Sequence, residues 1–293
     1  MKKHRLLLGA HMSVAGGYEK AYEHAQSIGC TVMQIFTKSN RQWQSKKITA
    51  EQSALFISAA QKSAISVAIA HATYLINIGS PDTAVRTKSI NALVDELERC
   101  ALLDIPYLVL HPGSSTGSAL EECLDTIAES LGQALEKASS KTEILLEIMA
   151  GQGSTVCYSF EQIAYVLKQA KHSNRIGVCF DTCHAFAAGY DFRDATNYQI
   201  MWKAFDTIIG RKKLKAIHLN DSKKEIGSRV DRHEEIGKGQ LGLEAFRLLM
   251  NDEHLFDIPK ILETPQDDLA DYEKNMKILM GLLSKETRKK LGL

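Results

Sequence analysis

The sequence predicts an α/β protein: a closed (β/α)8, or TIM, barrel whose active site lies at the C-terminal rim of the strands. Three observations carry this expectation. Short apolar runs alternate with longer amphipathic runs eight times along 293 residues. The short runs are too apolar to face water on either side, as strands of a covered parallel sheet must be. Seven of the eight end in, or carry near their end, a histidine or a carboxylate, and such barrels place their chemistry at that edge. The length is long for an average domain but ordinary for this barrel, so one domain over residues 1–293 is expected.

The predicted strands cover residues 6–11, 32–36, 66–71, 107–111, 143–147, 176–181, 214–219 and 260–263. Helix-like runs follow them, such as 84–103 and 120–138. In the first of these, Ile90, Leu93, Val94 and Leu97 recur at three- and four-residue spacing, as one buried helical face requires. An open doubly wound sheet would need a phosphate loop. The nearest glycine clusters, Gly151-Gln152-Gly153 and Gly237-Lys238-Gly239, lack the GxGxxG or P-loop spacing.

Composition narrows the function classes. Hydrophobic residues make up 44% and charged residues 24%, ordinary for a globular enzyme. A formal charge of +1 gives no global basic signal, so nucleic-acid contact would need a local patch. The basic start, Met1-Lys2-Lys3-His4-Arg5, is followed by an apolar run too short for a signal peptide. No stretch approaches the roughly 20 apolar residues of a membrane span, and the chain reads as cytoplasmic. The six cysteines are scattered and read as reduced, small buried residues.

The strand ends deliver His11, His71, His111, Glu147, Asp181, His218 and Glu263 to one rim. Strand interiors are almost free of charge, so this clustering is not ordinary loop polarity. Two following segments, read as loops, add His184 and, in "GSRVDRHEEIGKG", Asp231 and His233. Residues i and i+2 of an extended segment project to the same side, so Asp-x-His can bind one ion. With His11 set aside, nine candidates remain, too many for one ion with an open position; they suit a cluster of two or three. Imidazoles with carboxylates favour zinc, with Mn2+ or Fe2+ as substitutes. Three divalent ions against four carboxylates would leave a net charge of about +2, which suits an anionic substrate such as a phosphodiester.

Along essentially its whole length, the chain resembles the endonuclease IV family, the second family of apurinic/apyrimidinic (AP) endonucleases. The segments "GAHMSVAGG", "FTKSNRQW", "HATYLINIG", "HPGS", "AGQGS", "GVCFDTCHAFAAGYD", "HLNDSK", "GSRVDRHEEIGKG" and "ILET" carry the resemblance, in that order. It implies a TIM barrel with three zinc ions. One would lie on His71, His111 and a bridging Glu147. The second would share Glu147 with Asp181, His218 and Glu263, and the third would take His184, Asp231 and His233. Glu147 and Glu263 would act as metal ligands that position an attacking hydroxide. The implied reaction is hydrolysis of the phosphodiester 5′ to an abasic site in double-stranded DNA, leaving a 3′-hydroxyl and a 5′-deoxyribose phosphate. Cleaning of blocked 3′ ends is the companion activity. The resemblance places Arg41 and Gln42 in the minor groove and Tyr74 and Leu75 at the gap left by the missing base, a wedge strategy known for kinked duplexes. It also implies a bacterial monomer, associated with the nucleoid through DNA.

Basic residues near these loops, Lys38, Arg41, Lys46 and Lys47 in one and Arg229, Arg232 and Lys238 in another, are expected to contact phosphates. The sequence departs from the family pattern at Ile148-Met149, where Asn-Thr is usual, and at the first two residues of "SNRQW". The apolar pair removes a hydrogen-bonding side chain beside Glu147. Cys179 and Cys183 of "GVCFDTCHAF" are expected to pack rather than bind metal. Two other readings compete. A xylose isomerase-like sugar isomerase or epimerase would use Glu147, Asp181, His218 and Glu263, but leaves His184, Asp231 and His233 without a role. A non-catalytic, metal-stabilised DNA-damage binding module would need a closed site, which an open rim does not provide.

Overall fold

In the computed structural model, which describes residues 4–293, the apolar runs form the expected barrel. Its strands are β1 (Leu8–Met12), β2 (Val32–Phe36), β3 (Val67–His71), β4 (Tyr107–Leu110), β5 (Glu143–Glu147), β6 (Ile176–Asp181), β7 (Leu214–His218) and β10 (Lys260–Leu262). The barrel closes in the order β1-β10-β7-β6-β5-β4-β3-β2, and every neighbouring pair is parallel. A two-stranded ribbon, β8 (Asp221–Ser222) with β9 (His233–Glu234), stands outside this sheet. The first three residues, part of the expected domain and of the basic start, lie outside the described residues.

Ten helices cover the barrel among the described residues: α1 (Lys20–Ser27), α2 (Ala50–Lys62), α3 (Thr83–Leu102), α4 (Leu120–Lys137), α5 (Phe160–Gln169), α6 (Thr182–Ala188), α7 (Ala195–Ile208), α8 (Gly242–Asn251), α9 (Leu269–Gly281) and α10 (Lys285–Leu291). Local chemistry fixes their starts. Thr49 and Gln52 form a reciprocal capping box on α2, and Asp82 accepts two amides at the start of α3. No described helix is long and apolar enough to cross a membrane.

Two apolar regions result. The larger lies between strands and helices; the smaller fills the barrel with Val32, Ile69, Val109, Leu145, Cys179, Ala216 and Ile261, all fully buried. The remaining strand, β1, contributes Gly9, where a Cβ would lie 1.8 Å from the Val32 carbonyl oxygen, so only glycine permits that approach.

Predicted and observed strands differ by at most two residues at either end. The predicted helical run 120–138 ends one residue early, at Lys137. A larger correction concerns His184, which sits on α6 rather than in a loop. Asp181 caps that helix through the His184 amide (2.7 Å), and Gly189, at φ 112°, ends it. The glycines of "GKG" also have a structural role. The buried Asp221 carboxylate accepts the amides of Ser222 (2.7 Å), Gly237 (3.0 Å), Gly239 (3.1 Å) and Leu241 (2.9 Å). This winds the segment after β9 around an acid of the chain's own, and a Cβ at Gly239 would meet both that acid and the Ser222 carbonyl.

Candidate metal centre

The nine side chains picked from the sequence converge at the C-terminal rim. Their ligand atoms form three groups, each within 4.8 Å internally: His71, His111 and Glu147; Glu147, Asp181, His218 and Glu263; and His184, Asp231 and His233. Glu147 lies in two of them. Its Oε2 faces His71 Nε2 (3.2 Å) and His111 Nε2 (3.1 Å), while its Oε1 faces His184 Nδ1 (3.1 Å) and His218 Nδ1 (3.2 Å). The two oxygens of one carboxylate thus address different imidazole pairs.

Four of the histidines are oriented by neutral acceptors. His71 Nδ1 meets the Ala72 carbonyl (2.7 Å), His184 Nδ1 the Ile148 carbonyl (3.1 Å), and His233 Nδ1 the Glu263 carbonyl (3.1 Å). His218 Nε2 meets the amide oxygen of Gln34 (2.9 Å). A carbonyl oxygen can only accept, so the ring nitrogen that faces it keeps a proton, and the other nitrogen, turned toward the carboxylates, is the one that can exchange its proton for a cation. That arrangement is the one metal-ligating histidines use. His184 Nε2 and His233 Nε2 are buried without a hydrogen-bond partner. His184 Nε2 lies 3.2 Å from Asp231 Oδ2, but without hydrogen-bond geometry. A buried imidazole nitrogen left in this way fits a cation better than it fits an empty space.

Electrostatics agree. Burial alone would raise the Glu147 carboxyl, yet His111 and His218 hold it well below the usual range. Burial would raise Asp231 as well, but His184 outweighs it and brings the carboxyl down to about 2. Burial pulls His184 down, but Asp181 and Asp231 hold it well above its ordinary value. His218 behaves likewise, with burial opposed by Cys179, Glu263 and Glu147. These groups satisfy one another through shared protons, and divalent cations can take the protons' place.

Sequence reasoning missed two residues that position these ligands. Gln34 on β2, fully buried, donates to Glu263 Oε1 (2.6 Å) and to His11 Nδ1 (3.0 Å) while accepting from His218. It gives the one strand without a metal-competent end a place in the site. Asn220 donates to Asp181 Oδ2 (2.7 Å) and accepts the Glu263 amide (2.9 Å). A signal existed for both: Gln34 is the polar residue of an apolar strand, and Asn220 follows His218 at the i+2 spacing that keeps one face. The Ile148-Met149 pair is buried, and the Ile148 main chain supplies a carbonyl to His184. Cys183 is also buried, which pushes its thiol up to about 12; its Sγ faces the Arg232 carbonyl at 3.6 Å.

The segments expected to read DNA stand beside this centre. Tyr74 is half exposed, with its ring 5.2 Å from His111 and 5.4 Å from His71. Leu75 is partly buried, and Arg41 and Gln42 are exposed. Lys46, Lys47 and Arg232 are exposed, and Arg229 lies over the Tyr158 ring. One of the expected phosphate contacts needs correction. The Lys38 side chain is fully buried and bonded to Asp95 (2.8 Å), because the partners that neutralise it lie on α3, far along the chain. Lys238 is exposed and pairs with Glu235 at the surface, which leaves its ammonium within reach of solvent.

A closed parallel barrel with imidazoles and carboxylates gathered at its C-terminal rim defines a class of metal-competent enzyme barrels. The sequence profile of the xylose isomerase-like TIM barrel family matches residues 22–285. A protein of Chloroflexus aurantiacus named Probable endonuclease 4 is 46% identical over 277 residues, 94% of this chain and 97% of its own. The crystal structure of endonuclease IV from Thermus thermophilus matches with a TM-score of 0.82 and 34% identity, covering 94% of this chain and 98% of its own. A D-tagatose 3-epimerase-like protein, at 19% identity and a TM-score of 0.74, covers 98% of this chain and all of its own; it shares the fold. The chain belongs to the endonuclease IV family.

Proposed function

We propose that this chain is an AP endonuclease that hydrolyses the phosphodiester 5′ to an abasic site in duplex DNA and clears blocked 3′ ends, working as a single-domain monomer. In this reading the site holds three zinc ions: one on His71, His111 and Glu147, one on Glu147, Asp181, His218 and Glu263, and one on His184, Asp231 and His233. Family membership supports nuclease activity. The observation that carries the metal reading is the shared orientation of four histidines, each tied through one nitrogen to a neutral acceptor. Ions bound there would activate water and offset the charge that develops on phosphate oxygens.

The chain's own residues prepare that chemistry. Glu147 offers one oxygen to each side of the cluster, and Gln34 holds Glu263 and His218 in register. Asp181 is held by the His184 amide and by Asn220. The shell is therefore fixed before substrate arrives, as catalysis by positioning requires. Arg41, Gln42, Tyr74 and Leu75 bind the damaged duplex from the two adjoining loops.

An assay on a duplex with one synthetic abasic site tests this reading. Cutting on the 5′ side, with a 3′-hydroxyl and a 5′-deoxyribose phosphate as product ends, is expected. An intact duplex, together with epimerisation of a ketose, would overturn the reading in favour of a sugar epimerase built on the Glu147, Asp181, His218 and Glu263 quartet.

A further inference from the structure

One buried acid outside the metal centre touches both loops assigned to DNA. Glu96, on α3, is 1% exposed. Its Oε2 accepts the Thr37 hydroxyl (2.6 Å), and its Oε1 accepts the Thr73 amide (3.2 Å). Thr37 opens the loop that carries Arg41 and Gln42, and Thr73 immediately precedes Tyr74 and Leu75. The Thr73 hydroxyl also donates across the gap to the Asn40 carbonyl (2.6 Å), so the two loops are tied to each other as well as to the helix. One turn along α3, Arg99 closes the base of the first loop. It donates to the Thr37 carbonyl from Nε (3.1 Å) and to the Lys46 carbonyl (2.9 Å). Lys38 sits 3.7 Å from Glu96 and completes the charge balance.

A buried carboxylate is costly unless its oxygens are satisfied, and here both are spent on loop backbone and loop hydroxyl. We propose that Glu96 is a positioning residue for recognition of damaged DNA: it clamps the Arg41–Gln42 loop to the Tyr74–Leu75 loop and sets their spacing over the metal centre. Two side chains that enter a duplex at different points must keep a fixed separation, and a flexible pair would lose binding free energy to ordering. The inference rests on the DNA reading proposed above.

The test uses the whole protein and a duplex carrying a tetrahydrofuran abasic analogue. Glu96→Gln keeps one acceptor oxygen and loses the other; Thr37→Val removes only the donated hydroxyl and preserves shape. Both should raise KM by about tenfold, as expected for a lost buried hydrogen bond, with kcat and metal content within about twofold of the parent. Arg41→Ala and Tyr74→Ala run alongside. If these two weaken binding while Glu96→Gln and Thr37→Val leave KM unchanged, the Glu96 proposal is overturned alone. If all four leave KM unchanged, the loops do not read DNA, and the Glu96 proposal falls with that assignment while the cutting of the abasic duplex still supports the nuclease reading. A fall in kcat and metal content without a change in KM would place Glu96 in the support of the metal site and also overturn the proposal.

Discussion

The inside of the barrel carries two bands of side chains on the same strands, two residues apart. The lower band is Gly9, Val32, Ile69, Val109, Leu145, Cys179, Ala216 and Ile261; the upper is His11, Gln34, His71, His111, Glu147, Asp181, His218 and Glu263. Backbone, strand pairing and inward direction are shared, since i and i+2 face the same way. Only the chemistry changes. The lower band is held by apolar contact and demands little of any single residue beyond size. The upper band buries carboxylates and imidazoles that would be costly alone, and each is acceptable only because its partners are in place. On the proposed function one band carries stability and the other carries activity, so substitutions in the two should fail in different ways.

The largest effect is expected at the rim. Glu263→Gln keeps one acceptor oxygen for the Gln34 amide but removes the charge and the oxygen that face His218. Cutting should drop on the order of a thousandfold or more, with binding to abasic duplex largely kept. Unchanged turnover would remove Glu263 from the cluster and blur the two bands. Ile69→Ala, two residues below His71, tests the other side. A fully buried isoleucine replaced by alanine should cost about 2–5 kcal/mol in a denaturant melt, while metal content stays at the parent level. Loss of metal at full stability would show that the bands are not separable.

The most gradual effect, spread over the alkaline range, lies at the opposite end of the barrel, where Lys260 is buried with the carbonyls of Leu255 (2.5 Å) and Ile258 (3.0 Å) as its hydrogen-bond partners. Burial lowers its pKa to about 7, below the value it regains on unfolding. Between those values the unfolded chain holds the extra proton. The cost of the buried charge is therefore present in full below about pH 7 and fades as the pH rises toward 10. Relative to Lys260→Met, the parent should gain up to about 1.4 kcal/mol of stability per pH unit in that window. A stability difference that does not change with pH would mean that Lys260 keeps its proton, and that buried charge is tolerated below the rim as well as at it.

How far each band was legible in the sequence follows from the same contrast. The barrel was readable because apolar strands recur, and the rim because His71, Glu147 or Asp181 interrupts an apolar run at its end. Gln34 was overlooked because a neutral amide belongs to no metal-ligand class; its importance lies in facing two such ligands at once. The short helix α6 departs from the expected loop because seven residues carry little periodic signal. The burial of Lys38 could not be read locally, since Asp95 and Glu96 meet it only after the chain has passed through β3 and into α3. Pairings across strands come from the fold, and a single segment does not contain them.

The claim that the upper band, with His184, Asp231 and His233 beside it, holds divalent ions which act on abasic DNA is tested most directly by counting metal and cutting together. Elemental analysis of the purified protein should give about three divalent ions per chain. Chelation should abolish cutting of the abasic duplex, and returned zinc should restore it. Undiminished cutting by protein stripped of metal would contradict the account.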